Sequence, residues 1–199
     1  ILPGRLNINP EEAELLIKEH ICLCYDVCHF AIGYESHAQF IELLESKGIR
    51  VGKIQISAAL KAGFPPDPEL RSGIAAAFAN YNEPTYLHQV VARKDDGQLV
   101  RYRDLPEALN DYTNPLVREW RAHFHVPVFI RELGLLQSTQ EDIIEVLKIQ
   151  NNRPFTGHME VETYTWEVLP EALKAPIAES IVRELNWVKE LLLKNQDHE

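Results

Sequence analysis

The chain has 199 residues, 45% of them hydrophobic, and a net charge of −10 at neutral pH. That length suits a single sizeable domain spanning residues 1–199. The acidity argues against a broad nucleic-acid or anionic-membrane surface. No apolar run approaches the ~20 residues that cross a bilayer, and no signal-peptide pattern opens the chain.

The elements are read in chain order. Asn9-Pro-Glu-Glu predicts a helix, with Asn9 as N-cap, Pro10 at the first helical position and acids in the first turn; it runs to about residue 19. Residues 21–27 form a buried strand. Ser36 with Gln39 makes a capping box, and Gly48 closes that helix near residue 47. A strand follows at 51–57, then a helix at about 67–80 behind Pro65-Pro66. Residues 86–92 and 98–103 alternate like strands around Lys94-Asp-Asp-Gly97, which reads as a β-hairpin inserted at about 86–103. Asp104 caps a short helix, and 121–128 is a strand. Ser138 with Glu141 makes a second capping box, opening a helix to about 150. A last strand at 159–165 and a helix at about 171–193 complete the reading. Helices alternating with strands in this way predict an α/β fold of parallel strands covered by helices. Four main strands cannot close an eight-stranded barrel, so either the sheet is open or half of a barrel is absent. The start Ile1-Leu-Pro-Gly and the single methionine, Met159, suggest a fragment.

Three cysteines, at 22, 24 and 28, lie within seven residues. An odd, clustered set is a poor disulfide framework and points to a reducing, cytoplasmic setting. Cys22-x-Cys24-x-x-x-Cys28 lacks the second Cys/His pair of a zinc finger, and Cys22 and Cys24 read as core or near-core residues.

Chemistry concentrates in three stretches. Cys24-Tyr-Asp-Val-Cys-His29 puts Asp26 and His29 where a strand turns into a loop. His123-Phe-His125 puts two imidazoles on one strand face, and His158-Met-Glu-Val-Glu-Thr163 does the same for Glu160 and Glu162, which parity cannot separate. Asp, His and Glu converging at strand ends make a plausible site for a divalent cation (Mn²⁺, Mg²⁺ or Zn²⁺). Gln55, between Ile54 and Ile56, is expected to point inward and to need a partner. His88, on the hairpin, is a candidate for substrate contact.

Six stretches in order carry a resemblance: Cys24-Tyr-Asp-Val-Cys-His29, Gly52-Lys-Ile-Gln-Ile-Ser-Ala58, Tyr86-Leu-His-Gln89, Arg103-Asp-Leu-Pro106, His123-Phe-His-Val-Pro127 and Glu160-Val-Glu-Thr-Tyr-Thr-Trp166. Together the chain resembles the C-terminal half of a xylose-isomerase-like (β/α)₈ TIM barrel. It looks closest to the bacterial metabolite-traffic proteins described as sugar phosphate isomerase/epimerase-like. The resemblance implies metal ligands at Asp26, His125, His123, Glu162 and Glu160. It implies catalytic roles for Glu162 and His29, and substrate contacts by Gln55, His88 and His29. A further glutamate ligand would lie upstream of residue 1. The implied reaction is metal-dependent isomerisation or epimerisation of a sugar, sugar phosphate or related hydroxylated metabolite: the ion polarises a carbonyl and its neighbouring hydroxyl, and a carboxylate removes the proton between them. A non-catalytic metabolite-trafficking cup and, more remotely, a metal-dependent phosphodiesterase use the same residues. The expected partners are a small-molecule substrate and, through open strand edges, a second copy or the missing half of the barrel; nucleic acid and membrane are not expected.

Overall fold

The computed structural model describes residues 1–163, 169, 171 and 174–194. Helices α1 (Leu2–Leu6) and α2 (Pro10–His20) lead into β1 (Leu23–Asp26), α3 (Val27–Ile32), α4 (His37–Ser46) and β2 (Val51–Ile56). The chain continues through β3 (Ala58–Gly63), α5 (Pro68–Ala79), the hairpin β4 (Val90–Lys94) and β5 (Leu99–Tyr102), α6 (Leu105–Leu109) and the long β6 (Val117–Val126). It ends with β7 (Glu132–Leu133), β8 (Leu136–Ser138), α7 (Gln140–Asn152), β9 (Met159–Val161) and α8 (Ile177–Lys194). Asn9, Ser36, Asp67 and Asp104 cap their helices through side-chain bonds to backbone N–H groups, as their residue types dictate.

The strands fall into two sheets, and here the half-barrel expectation fails. Only β1, β2 and β9 are parallel, in the order β1-β2-β9; the others form an antiparallel sheet in the order β5-β4-β6-β3-β8-β7. The fold is therefore mixed α/β and not a (β/α)₈ pattern. The physical reason lies at Ser57. In place of turning into a helix after β2, the chain runs straight on as β3, which pairs antiparallel with β6 and β8. The hairpin is present, but β4 pairs with β6 inside the larger sheet and does not overlie a barrel mouth.

Other boundaries shift for local reasons. Thr139, not Ser138, stands at the N-cap of α7, because Ser138 belongs to β8 and its hydroxyl donates to the Ile130 carbonyl. The short helix α3 replaces the expected loop after Asp26. The last helix begins at Ile177, and residues 164–165 of the last expected strand, like Trp166, lie outside the described residues. Gly48 has φ +63 at the end of α4, where a left-handed residue closes the helix. A Cβ on Gly52 would meet Cys22 Cβ at 2.8 Å, so glycine lets the start of β1 approach β2.

The core lies between the sheets and the helices. Trp120, Phe64 and Phe78 pack together on one side of the antiparallel sheet, and Tyr25, Ile54 and Ile56 supply the apolar face of the parallel one. Leu15, Leu16 and Ile17 of α2 and Ile181 and Leu185 of α8 are solvent-exposed. No helix among the described residues is long and apolar enough to cross a membrane.

A buried polar brace joins the two sheets. The Tyr25 hydroxyl lies 2.7 Å from His37 Nδ1, and His37 Nε2 lies 3.2 Å from Asp142 Oδ1. Asp142 also faces the Arg121 guanidinium at 3.4 Å. The chain of contacts thus runs from β1 through α4 and α7 to β6. Burial pushes the Asp142 carboxyl up, but the His37 bond and the Arg121 charge outweigh it and hold it below its ordinary value of 3.8. A depressed carboxyl stabilises the fold above its unfolded pKa, and that contribution is lost as pH falls through the folded one. Asp142→Asn is therefore expected to lower stability by about 1–3 kcal/mol at neutral pH. In urea unfolding followed against pH, the gap between wild type and variant should close below pH ~4; a gap independent of pH would contradict this role.

Candidate metal centre

Alternation along three strands builds one polar face. On the parallel sheet, Cys24 and Asp26 of β1, Lys53 and Gln55 of β2, and Glu160 of β9 with Glu162 just beyond it share a side. Tyr25, Ile54 and Ile56 take the other side and are buried. Gln55 thus points away from its isoleucine neighbours, onto the polar face. The face has two layers. In the lower one Lys53 pairs with Glu160, which is exposed. In the upper one Gln55 Nε2 donates to Asp26 Oδ2 at 2.9 Å and to Glu162 Oε2 at 2.8 Å. A single amide therefore spans two carboxylates that would otherwise repel. Glu162 is held there by its own N–H, which donates to the Ile56 carbonyl.

Two further elements close over this upper layer. Asp26 is the N-cap of α3; its Oδ1 accepts from the Cys28 N–H at 3.1 Å and from the Ser57 hydroxyl at 2.6 Å. The same carboxylate therefore caps a helix and presents its second oxygen to the site. One residue past Cys28, His29 Nε2 lies 3.5 Å from Asp26 Oδ2, with the ring packed edge-on to His123 at 4.6 Å. From β6, His123 and His125 arrive on one strand face with their Nε2 atoms 3.1 Å apart. His125 Nδ1 lies 3.4 Å from Glu162 Oε2. The groups form a closed circuit: Asp26, Gln55, Glu162, His125, His123, His29 and back to Asp26.

The imidazoles of His123 and His125 are held neutral. Burial, and then the neighbouring His125 and His29, push His123 down to about 4. Burial also lowers His125, against the pull of Glu162 and Asp26. At neutral pH each ring therefore keeps a lone pair, as a metal ligand must. Two imidazole nitrogens 3.1 Å apart either share one proton or face one ion.

Of the residues singled out in the sequence, Asp26, His29, Gln55, His123, His125 and Glu162 meet. Glu160 does not; its partner is Lys53, one layer below. His88 does not either. It is 2% exposed, stacks on Phe124 at 5.3 Å and lies 3.2 Å from Glu83. Phe124 alternates with His123 and His125, so His88 sits on the far side of β6. Two participants escaped the sequence reading. Ser57 shares Gln55's strand parity, which could have indicated it. Cys28 groups with His29 and His123, their donor atoms all within 4.8 Å of one another.

The donor set surrounds Cys28, His29 and His123, the one group among the described residues close enough together to hold a metal ion, and its donor types are those divalent cations take. It offers neutral imidazoles, two carboxylates, an amide whose oxygen faces inward once the group is turned over, and a thiol. Beside it lies a cavity of about 450 Å³ whose wall includes His29, Gln89, Arg101 and Arg103. The side chains of Arg101 and Arg103 make no hydrogen bond or ion pair among the described residues. Comparison of the chain with family models, with curated proteins and with solved structures returns no match.

The bridging amide makes a specific expectation. Gln55→Leu leaves Asp26 and Glu162 facing each other without a donor, which should cost about 1–3 kcal/mol in the ion-free chain. Added Mn²⁺ or Zn²⁺ should restore part of the loss in a thermal melt, because the ion replaces the amide as the link. Equal stability of wild type and variant without metal would contradict the bridging role.

Proposed function

We propose that the chain carries the divalent-metal centre of an enzyme that moves a proton between adjacent carbons of a small hydroxylated carbonyl compound. In such an isomerase or epimerase the substrate is a sugar, a sugar phosphate or a close relative. The observation that supports this reading is the circuit itself: six ligand-type side chains from separate parts of the chain, five of the six links no longer than 3.5 Å and the sixth a ring contact between His29 and His123 with centroids 4.6 Å apart, beside a cavity of small-molecule size. The order of motifs that resembles isomerase-like proteins points the same way.

The division of labour follows from position. Asp26, Glu162 and the imidazoles of His123 and His125 would hold the ion. When bound, a divalent ion supplies Lewis-acid polarisation of a carbonyl and its neighbouring hydroxyl. Glu162 is only half-buried, and both contacts its carboxylate makes among the described residues, the Gln55 amide and His125 Nδ1, fall on Oε2; its other oxygen would take the proton from a substrate carbon. His29, whose side chain is 58% exposed at the cavity wall, can pass a proton to or from a substrate oxygen while Asp26 orients its ring. Gln55 holds the carboxylates apart and can offer either end of its amide. Arg101 and Arg103 would pair with an anionic group at the other end of the substrate.

A second reading keeps the site for binding alone. The Gln55 amide already links both carboxylates, as a residue would in a cup that has given up catalysis. The net charge of −10 counts against a phosphodiesterase acting on nucleic acid.

Solvent-deuterium exchange separates these readings. Wild type with Mn²⁺ or Zn²⁺ should incorporate deuterium at the carbon beside the carbonyl of at least one member of a panel of aldoses, ketoses and their phosphates. Glu162→Gln should slow that exchange by about 10²–10⁴-fold. Arg101→Ala with Arg103→Ala should raise KM for a phosphorylated substrate and leave an uncharged one unaffected. Metal binding without exchange across the panel would favour the binding cup. Failure of the wild-type chain to bind any divalent ion would overturn the metal centre.

A further inference from the structure

We propose that Cys28 is a thiolate ligand of this centre, so that the site selects a thiophilic ion of the zinc type over Mg²⁺ or Mn²⁺. The inference rests on the metal-centre reading and goes on to name the ion. Its basis is placement. Cys28 Sγ, a nitrogen of His29 and a nitrogen of His123 lie within 4.8 Å of one another, the only such trio of metal-type donors among the described residues. Cys28 Sγ also lies 3.8 Å from His125 Nε2. Around a tetrahedral ion held at about 2.0–2.3 Å by nitrogen and sulfur, donors sit roughly 3.3–3.6 Å apart. The cluster needs only a small contraction to reach that spacing, and His29, largely exposed, is free to supply it.

The backbone explains why the sulfur is there. The N–H of Cys28 donates both to Asp26 Oδ1 and to Ser57 Oγ, which pins the first turn of α3 against the end of β2. The side chain leaves that turn toward the imidazoles. Packing against Ile32, Ala59 and Val91 accounts for the burial of Cys28. It does not account for a sulfur set among three imidazoles. Burial pushes the thiol well above its ordinary pKa, so the ion-free chain holds Cys–SH. On binding, the S–H bond breaks, its proton leaves to solvent, and the sulfur lone pair forms the bond to the ion. No oxidant or reductant is needed. A soft thiolate beside imidazoles discriminates against hard cations, whereas a purely carboxylate and imidazole set would not.

Cobalt serves as the probe. Titration of the full chain with Co²⁺ should give a thiolate-to-cobalt charge-transfer band in the near ultraviolet, together with visible d–d bands. Cys28→Ser should lose the charge-transfer band and keep the d–d bands. Its Zn²⁺ affinity should fall by at least the ten- to hundredfold that loss of an outer-shell partner costs, with Mn²⁺ affinity little changed. Cys28→Ala tests the same point should serine disturb the buried cluster, and the Cys22→Ser, Cys24→Ser double variant should retain the band. A charge-transfer band that survives in Cys28→Ser and Cys28→Ala, or d–d bands without one in wild type, would overturn the thiolate ligand and leave the centre standing. Absence of any cobalt binding by wild type would overturn both.

Discussion

One run of chain belongs to two sheets. β2 pairs in parallel with β1 and β9; after Ser57 the same extended backbone becomes β3 and pairs antiparallel with β6 and β8. Everything at the polar face depends on that continuity. It sets the end of the parallel sheet, where Asp26, Gln55 and Glu162 stand, beside the end of β6, where His123 and His125 stand. The register runs from Ala58 opposite Val126 to Leu60 opposite Ala122, with a shift between them, and the two histidines lie between those pairs. A turn at Ser57, or a slip of one residue in β6, would point the imidazoles into the core and Phe124 into the site.

The polar face is expensive to keep. Two carboxylates, one buried and one half-buried imidazole and a thiol share a small space, and hydrogen bonds offset only part of their desolvation. The ion-free chain meets this by keeping the imidazoles neutral, by bridging the carboxylates with one amide, and by giving Asp26 a second task as a helix cap. Each device costs no net charge. The brace from Tyr25 through His37 and Asp142 to Arg121 stands apart from this chemistry and holds the sheets in the orientation the site requires.

Much of the site could be read from residue spacing, because strand parity is a local property. His123 with His125, and Asp26 just before His29, announce themselves. Glu160 and Glu162 share parity, so the choice between them waited on the side-chain contacts: Gln55, level with Glu160 in the register, reaches up to Glu162, and Lys53 takes Glu160. His88 stands apart from the cluster because its hairpin joins the antiparallel sheet through β6, which leaves the ring stacked on Phe124. The fold was less legible. Ala58-Ala-Leu-Lys-Ala-Gly63 is alanine-rich and reads as a connection, yet it is the strand on which the antiparallel sheet is built. Its partners lie far along the chain, and long-range antiparallel pairing leaves little local trace. α3, six residues long, is too short to show a helical period. Helix caps fared better where Asn9, Ser36 and Asp104 act within three residues of themselves. Ser138 was recruited into β8 by tertiary pairing.

The account turns on a cation occupying the space enclosed by Asp26, Glu162, His123 and His125. Anomalous scattering from crystals grown with one equivalent of Zn²⁺, recorded on either side of the zinc absorption edge, locates such an ion directly. The account predicts one strong peak at about 2.0–2.2 Å from an imidazole nitrogen of the cluster and from at least one of the two carboxylates. A peak elsewhere on the molecule, or none with the Gln55 amide still spanning Asp26 and Glu162, would contradict it.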